Sequence, residues 1–264
     1  MALKQHKDKD VMYQQQVDNS RAYVLPFIEK TKPIGPGINV LEIGCGEGGV
    51  MVPFLEKGAH CVGVDLDAYR IDLANKFFAK EITEGKAKFL YKNVYDDDFL
   101  QQYKGFFDVI VLKDTIEHIP GQEQFIPYMK NLLKPGGQIF FGFPPWYMPF
   151  GGHQQTLHGK LASTLPYYHI LPKGLYRAFL NMLGEDKGKI EELMEIYDTR
   201  ITIERFEKIL KDSSLRVLNK THFLINPIYK YKFGLEPRKQ WEPITKIPFL
   251  RNFVTTCVYY TVGV

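Results

Sequence analysis

Asn39-Val-Leu-Glu-Ile-Gly-Cys-Gly-Glu-Gly-Gly49 is the stretch that decides how this chain folds. Residues suited to a short buried strand run into a glycine-rich turn. Behind the turn, Val50–Lys57 carries a helical pattern closed by Gly58. Glycine lets the backbone bend sharply and lets a ligand approach with no Cβ in the way. Gly44, Gly46 and Gly49 satisfy G-x-G-x-x-G, a pattern that is weak by itself. Asp65 closes the next apolar run, His60–Asp65, 21 residues after Gly44. A carboxylate there can accept hydrogen bonds from both hydroxyls of a ribose.

Working outward, short apolar runs alternate with helical patterns. Ala87–Tyr91, Phe106–Leu112 and Gln138–Phe143 read as strands, and Tyr69–Ile82, Asp97–Tyr103 and Gln122–Leu133 as the helices between them. Such alternation predicts a parallel sheet with helices on both faces. Upstream, Val17–Glu29 is a helical pattern with Val17, Val24, Leu25 and Ile28 on one side, stopped by the Pro and Gly residues of 32–37. Residues 1–10 are expected to fray. Downstream, the rhythm breaks at Pro144-Pro145. Residues 145–200 are rich in Pro, Gly, His and aromatics, include an acidic helix Glu185–Tyr197, and read as an insertion over the sheet edge. The pattern resumes with a helix Thr202–Asp212, N-capped by Thr202. A strand Leu215–Leu224, a basic-aromatic loop Asn226–Phe249 and an antiparallel last strand Val254–Val262 complete it.

Composition narrows the function classes. The chain has 264 residues, 45% hydrophobic and 24% charged, which excludes wholesale disorder. The net charge of +4 is small and forms no basic block, so no nucleic-acid partner is expected. Three cysteines (Cys45, Cys61, Cys257) imply no disulfide framework and suit a reducing, cytoplasmic setting. The polar start lacks the apolar core of a secretory signal. The longest apolar stretch, Ile139–Phe150, is short for a membrane span and holds three prolines, so no stable membrane insertion is expected.

Charge separates two cofactors that such a loop could serve. A nicotinamide dinucleotide brings its pyrophosphate to the helix N-terminus. Glu42, two residues before Gly44, would repel it. S-adenosylmethionine has no phosphate; its α-amino cation and sulfonium both favour a nearby carboxylate.

At this point the residues carry a family resemblance. Glu42-Ile-Gly-Cys-Gly-Glu-Gly48 resembles the first motif of class I S-adenosylmethionine-dependent methyltransferases of the small-molecule type. Asp65 matches their acid after the second strand, and Asn93-Val94 their adenine-edge position, where Asp is commoner. Asp108–Leu112 with Asp114-Thr-Ile-Glu-His-Ile119 looks like the fourth-strand motif, and Leu132–Ile139 like the lead into the fifth. The motifs span residues 39–143 in order and specify no substrate. The resemblance implies a Rossmann-like, doubly wound α/β fold. Its seven-stranded sheet would be mostly parallel, with an antiparallel last strand between the fifth and sixth, plus a helical and aromatic lid. It divides the single domain into an N-terminal helix (11–35), a cofactor-binding core (38–144), a lid (145–200) and the rest of the sheet (201–264).

The same resemblance assigns roles. Gly44, Cys45 and Gly46 pass the methionine part of S-adenosylmethionine, and Glu42 binds its amino group directly or through water. Asp65 accepts from the ribose, Leu66 packs on the adenine, and Asn93 and Val94 meet its edge. Lys113, Asp114 and Thr115 approach the sulfonium and methionine portions, and Asp114 either orients a substrate or caps the next helix. His118 packs or hydrogen-bonds near the cofactor. Arg21, beside Tyr13 in the N-terminal segment, pairs with the methionine carboxylate. Asp67 reads as a helix N-cap.

Substrate choice falls to the insertion. Transfer to oxygen needs a base, and His153, flanked by glycine, is the candidate, with His158 and His169 as alternates. Phe143, Trp146, Tyr147, Phe150, Tyr167 and Tyr168 either line an apolar pocket or form the core of the lid. No metal ligation is expected, because the histidines lack a recognisable spacing. The resulting expectation is methyl transfer to a small-molecule acceptor, through oxygen, giving S-adenosylhomocysteine. The alternatives are a lipid or quinone methyltransferase at a membrane surface, suggested by Tyr229–Phe233, Arg238, Lys239 and Trp241, a non-catalytic binder, and a nicotinamide protein. Oligomeric state is not legible.

Overall fold

The computed structural model describes residues 9–264. Eight strands are present: β1 (Asn39–Ile43), β2 (His60–Asp65), β3 (Ala87–Tyr91), β4 (Phe107–Lys113), β5 (Leu133–Phe143), β6 (Arg216–Ile225), β7 (Arg238–Lys239) and β8 (Cys257–Gly263). They form one sheet in the order β3-β2-β1-β4-β5-β8-β6-β7. β1 lies parallel between β2 and β4, with Glu42 level with Gly63 on one side and Val111 on the other. β8 runs antiparallel to both β5 and β6.

Alternating side chains send the sheet's apolar residues to two cores. Leu41, Ile110, Leu112 and Phe141 pack with Phe99, Phe125, Ile126 and Phe206 on one face. Val40, Val109, Val111 and Phe140 pack with Phe27, Ile28, Phe54 and Ile71 on the other. Both faces are thus closed by helices, and the open sites are the strand ends. The order reverses between β1 and β4, so their carboxyl ends flank the crevice where ligands of open α/β sheets sit.

Several boundaries differ from the sequence expectation. Eight strands stand where seven were expected, because Arg238 and Lys239 pair with Ile225 and Phe223 at the β6 edge. The last strand begins at Cys257, because Leu250–Val254 is a helical turn held by Arg251 to Glu204 and Glu207. The first helix begins at Lys9 and continues through a π-helical turn, Ser20–Val24, into Leu25–Glu29. The fraying expected of residues 1–10 falls largely outside the described residues. Thr202 does cap its helix, accepting from the Arg205 amide.

The stretch after β5 builds a third core from Trp146, Leu157, Tyr168, Tyr176, Leu180, Leu193 and Met194. Most of its aromatics therefore hold the insertion together rather than line a pocket. Tyr147 stacks on Phe253, and the Tyr167 hydroxyl donates to the Phe253 carbonyl (3.0 Å), tying the insertion to the segment before β8. Phe143 belongs to the sheet core, and Phe150 alone of the six lines a cleft.

Candidate active site

The chain leaves β1 through a turn that only glycine accommodates. Gly44 sits at φ +72°, and a Cβ there would lie 2.6 Å from Thr115 Cγ2. The Gly44 and Cys45 amides both donate to the Val64 carbonyl (2.8 and 3.1 Å), which locks the turn to the end of β2. Gly46 (φ +52°) donates to Asp65 Oδ2 at 2.7 Å, while Asp65 Oδ1 accepts from the Asp67 amide at 2.9 Å. Over Gly46 lies the Arg70 guanidinium, held by Glu47 at 2.8 and 3.1 Å.

Where β1 and β4 end, a cavity of about 160 Å³ is enclosed. Glu42, Gly44, Cys45, Lys113 and Asp114 form its sheet side. Met12, Gln15, Gln16 and Asn19 of the helix Lys9–Asn19 close it from above, and Arg70, Ile228 and Lys232 complete it. Glu42 is 2% exposed, and its Oε2 has no hydrogen-bond partner. Desolvation, reinforced by Asp65, pushes this carboxyl well above the ordinary value. The Lys113 ammonium bonds the Asp114 carboxylate. Burial works against the charge on Lys113, yet Asp114 holds it above the ordinary lysine value. Burial likewise opposes Asp114, but Lys113 overrides it and keeps the acid below the carboxylate range. Burial lowers Lys232 despite Asp114 nearby.

Two of the predicted chemical groups occupy strained backbone. Asp114 has φ +53° and His153 φ +57°, the left-handed region that side chains other than Gly rarely adopt. Burial, with His118 adding, pushes the His153 imidazole down to about 3. His153 stands 3.9 Å from Glu117 (Nε2 to Oε1) and its ring is 4.9 Å from that of His118.

The other predicted residues distribute as follows. Thr115 sits beneath Gly44. Leu66 is exposed, and Asn93 Oδ1 accepts from the Tyr95 amide (3.0 Å) above buried Val94. These three follow β2 and β3 and do not line the enclosed cavity. Asp67 caps the helix Ala68–Phe77 by accepting from the Tyr69 and Arg70 amides. Arg21 is elsewhere: its guanidinium pairs with Glu56 at 2.6 Å, in a shallow recess outside the cavity. Its position on the outer side of the first helix, not its charge, decides this. His169 is fully buried, with Nδ1 against Gln154 (2.9 Å) and Nε2 against the Trp146 carbonyl (2.8 Å), so both ring nitrogens serve the insertion's core. The exposed His158 lies beside Glu185 (3.6 Å).

The sequence predicts a loop over Asn226–Phe249; the structure forms a helix, Ile228–Phe233, within it. Ile228 and Lys232, four apart, face the enclosed cavity, while Tyr229 and Phe233, also four apart, face a second, apolar cleft of about 680 Å³. Met148, Phe150 and Leu235 line that cleft, with Gln155 and Lys160 among its polar groups. The i, i+4 spacing of Ile228–Lys232 and Tyr229–Phe233 was the available signal.

A family model described as a methyltransferase domain matches residues 13–159. The chain belongs to this family. Its class is that of the S-adenosylmethionine-dependent methyltransferases. The chain is 31% identical over 105 residues to a ubiquinone biosynthesis O-methyltransferase of Aromatoleum aromaticum, covering 40% of this chain and 43% of the relative. It is 28% identical over 199 residues to phosphoethanolamine N-methyltransferase 1 of Zea mays, covering 70% of this chain and 38% of that one. The chain thus spans less than half the length of these curated relatives. In fold it is similar to geranyl diphosphate C-methyltransferase from Streptomyces coelicolor, crystallised with Mg2+, geranyl diphosphate and S-adenosyl-L-homocysteine. That likeness has a TM-score of 0.56 at 13% identity over 90% of this chain and 77% of the other. Among the described residues, no helix is long and apolar enough to cross a membrane.

The walls fit the cofactor of the family, S-adenosylmethionine. The unpartnered oxygens of Glu42 and Asn19 (Oδ1) suit an ammonium, and the glycine turn leaves the backbone open to approach. A cation beside Glu42 favours its ionised form and so opposes the upward push of desolvation on this carboxyl. The enclosed volume of about 160 Å³ is small for a whole nucleoside, and ligand pockets run to roughly 300–1,000 Å³. The walls that bound it are the first helix and the Arg70–Glu47 pair.

Proposed function

We propose that this chain transfers a methyl group from S-adenosylmethionine to a hydroxyl oxygen of a small, largely apolar acceptor. The observation that carries the reading is the helix Ile228–Phe233, which walls the carboxylate-lined cavity with one face and the apolar cleft with the other. When bound, S-adenosylmethionine supplies an electrophilic methyl on a positively charged sulfur. Glu42 would hold the α-amino group, Asp65 the ribose hydroxyls, and Asn93 and Val94 the adenine edge. Asp114, fixed by Lys113 at the cavity wall, is assigned to accept a hydrogen bond from the acceptor's hydroxyl, and His153 to act beside it as candidate base. The apolar walls exclude water, so the acceptor's position rather than new chemistry supplies much of the rate.

Oxygen is favoured over a phosphate-bearing amine by the charge of the cleft. Lys160 is its single cationic wall residue, and a phosphate site is ordinarily built from several donors. The test is turnover. The protein is incubated with S-adenosylmethionine and a panel of phenols, aliphatic alcohols and amines, and S-adenosylhomocysteine release is followed. Hydroxyl acceptors with apolar bodies are expected to turn over, with KM raised in Phe150→Asp. Methylation of amines alone would contradict the oxygen assignment.

A second reading, a lipid or quinone acceptor taken from a membrane surface, draws on the cleft's rim. Phe233 and Leu235, which line the cleft, are exposed, and Trp241, Lys230, Arg238 and Lys239, near them in sequence, are exposed as well. Co-sedimentation with anionic vesicles at low salt supports it; its absence removes it.

A further inference from the structure

We propose that Glu117, His118 and His153 bind one divalent transition-metal ion, joining the insertion to the turn after β4. Their donor atoms all lie within 4.8 Å of one another, and among the described residues this is the group of three so arranged. The Glu117 side chain is 4% exposed, and neither of its carboxylate oxygens has a hydrogen-bond partner. A buried carboxylate left unsatisfied on both oxygens is costly and calls for a ligand.

The backbone on both sides is fixed for the purpose. Glu117 and His118 occupy the single turn Ile116–His118 that follows β4. The Thr199 hydroxyl, at the end of the helix Lys187–Thr199, donates to the Glu117 carbonyl. His153 is held in its left-handed conformation by its amide, which donates to the Phe150 carbonyl at 3.1 Å. Its own carbonyl accepts from Thr156 Oγ1 at 2.8 Å. Strained backbone that is over-determined in this way marks functional positions.

Two imidazoles and one carboxylate suit zinc, iron, cobalt or manganese rather than calcium or magnesium. Bonds of roughly 2.0–2.2 Å to a tetrahedral ion place donors about 3.3 Å apart. The three side chains therefore close by about 1.5 Å at most, within the reach of side-chain rotation. Three protein ligands leave a coordination position open. If the methyltransferase reading holds, that position would take the acceptor's hydroxyl oxygen and ease loss of its proton, with His153 then serving as a ligand in place of the base role given it above; this extension rests on that reading, and the metal site itself does not. Sequence spacing could not reveal the group, because His153 lies 35 residues beyond His118 and meets it only when the insertion folds back.

The test uses the full chain without an affinity tag, freed of metal by chelation and dialysis, and titrated calorimetrically with Zn2+. Co2+ absorption provides a second readout. One equivalent is expected to bind and to raise the melting temperature. His118→Gln and His153→Gln, each removing a direct ligand, are expected to weaken binding by at least the roughly ten- to hundredfold that loss of an outer-shell partner costs. His118 is exposed, so its replacement keeps the fold even if Glu117→Gln does not. Absence of stoichiometric binding, or variants that titrate like the wild type, overturns the site. Zn2+ binding with no affinity for S-adenosylhomocysteine would sustain the metal site and sink the methyltransferase reading instead.

Discussion

At the scale of single residues, the cavity depends on a carboxyl that folding alone does not reward. Glu42 is buried with an unpartnered oxygen, which a cationic ligand would satisfy. Glu42→Gln is expected to weaken S-adenosylhomocysteine binding by roughly tenfold, equivalent to about 1.4 kcal/mol, without lowering the melting temperature. Calorimetry paired with a thermal melt checks both parts, and a melt that falls while affinity holds would make Glu42 structural. Gly44→Ala carries the opposite signature. Its φ of +72° and the 2.6 Å approach to Thr115 Cγ2 predict a loss of about 1–3 kcal/mol in urea unfolding. Gly46→Ala meets the movable end of Arg70 and should cost less stability. The placement of Glu42, Gly44 and Asp65 around one turn was legible because turn and charges sit within one βαβ unit; the roles given them are proposals. Arg21 pairs with Glu56 and does not line the cavity, because a helix places charge by its face, which one arginine in sequence does not reveal.

At the scale of elements, the helix Lys9–Asn19 is the cavity's roof, and the π-helical turn Ser20–Val24 follows it. Such turns interrupt the regular backbone ladder and recur at functional sites. The Ser20 hydroxyl donates to the Val50 carbonyl (2.7 Å) and anchors that turn to the segment following the glycine loop. Amide exchange of residues 12–24 is expected to slow when S-adenosylhomocysteine is added, as read by mass spectrometry. Unchanged exchange would show the roof to be static. The alternation of strands and helices over 39–143 was plain from apolar runs, since β1, β2, β4 and most of β5 are buried on both faces; β3, at the sheet edge, alternates buried and exposed residues. β7 was not, because two exposed residues paired at a sheet edge carry no periodicity. The helix Ile228–Phe233 was hidden by its basic and aromatic residues, although their four-residue spacing divides cleanly between two cavities.

At the scale of the whole molecule, buried histidines set a pH dependence. Burial pushes His169 down to about 4 from 6.5; the Trp146 carbonyl opposes this only in part. Burial also lowers His222 to about 4, with Arg251 and Lys220 adding and Glu207 and Glu204 opposing. Between these values the unfolded chain takes up protons that the folded chain refuses. Each histidine therefore lowers stability as pH falls from about 6.5 to about 4, by about 3 kcal/mol at most. The buried carboxyls of Glu42 and Glu117, raised by burial, act in the opposite sense. The share of His169 is accordingly the difference between wild type and His169→Gln. The variant's stability, measured by urea unfolding at successive pH values, should fall less steeply below pH 6.5, and parallel curves would refute the assignment. All of these effects surround one claim, that the bend after β1 and the acid ending β2 hold a phosphate-free, positively charged nucleoside. Isothermal calorimetry of the intact chain with S-adenosylmethionine and, separately, NAD tests it most directly. The account predicts one-to-one heat with the first, abolished by Asp65→Ala, and none with the second; heat with NAD alone would contradict it.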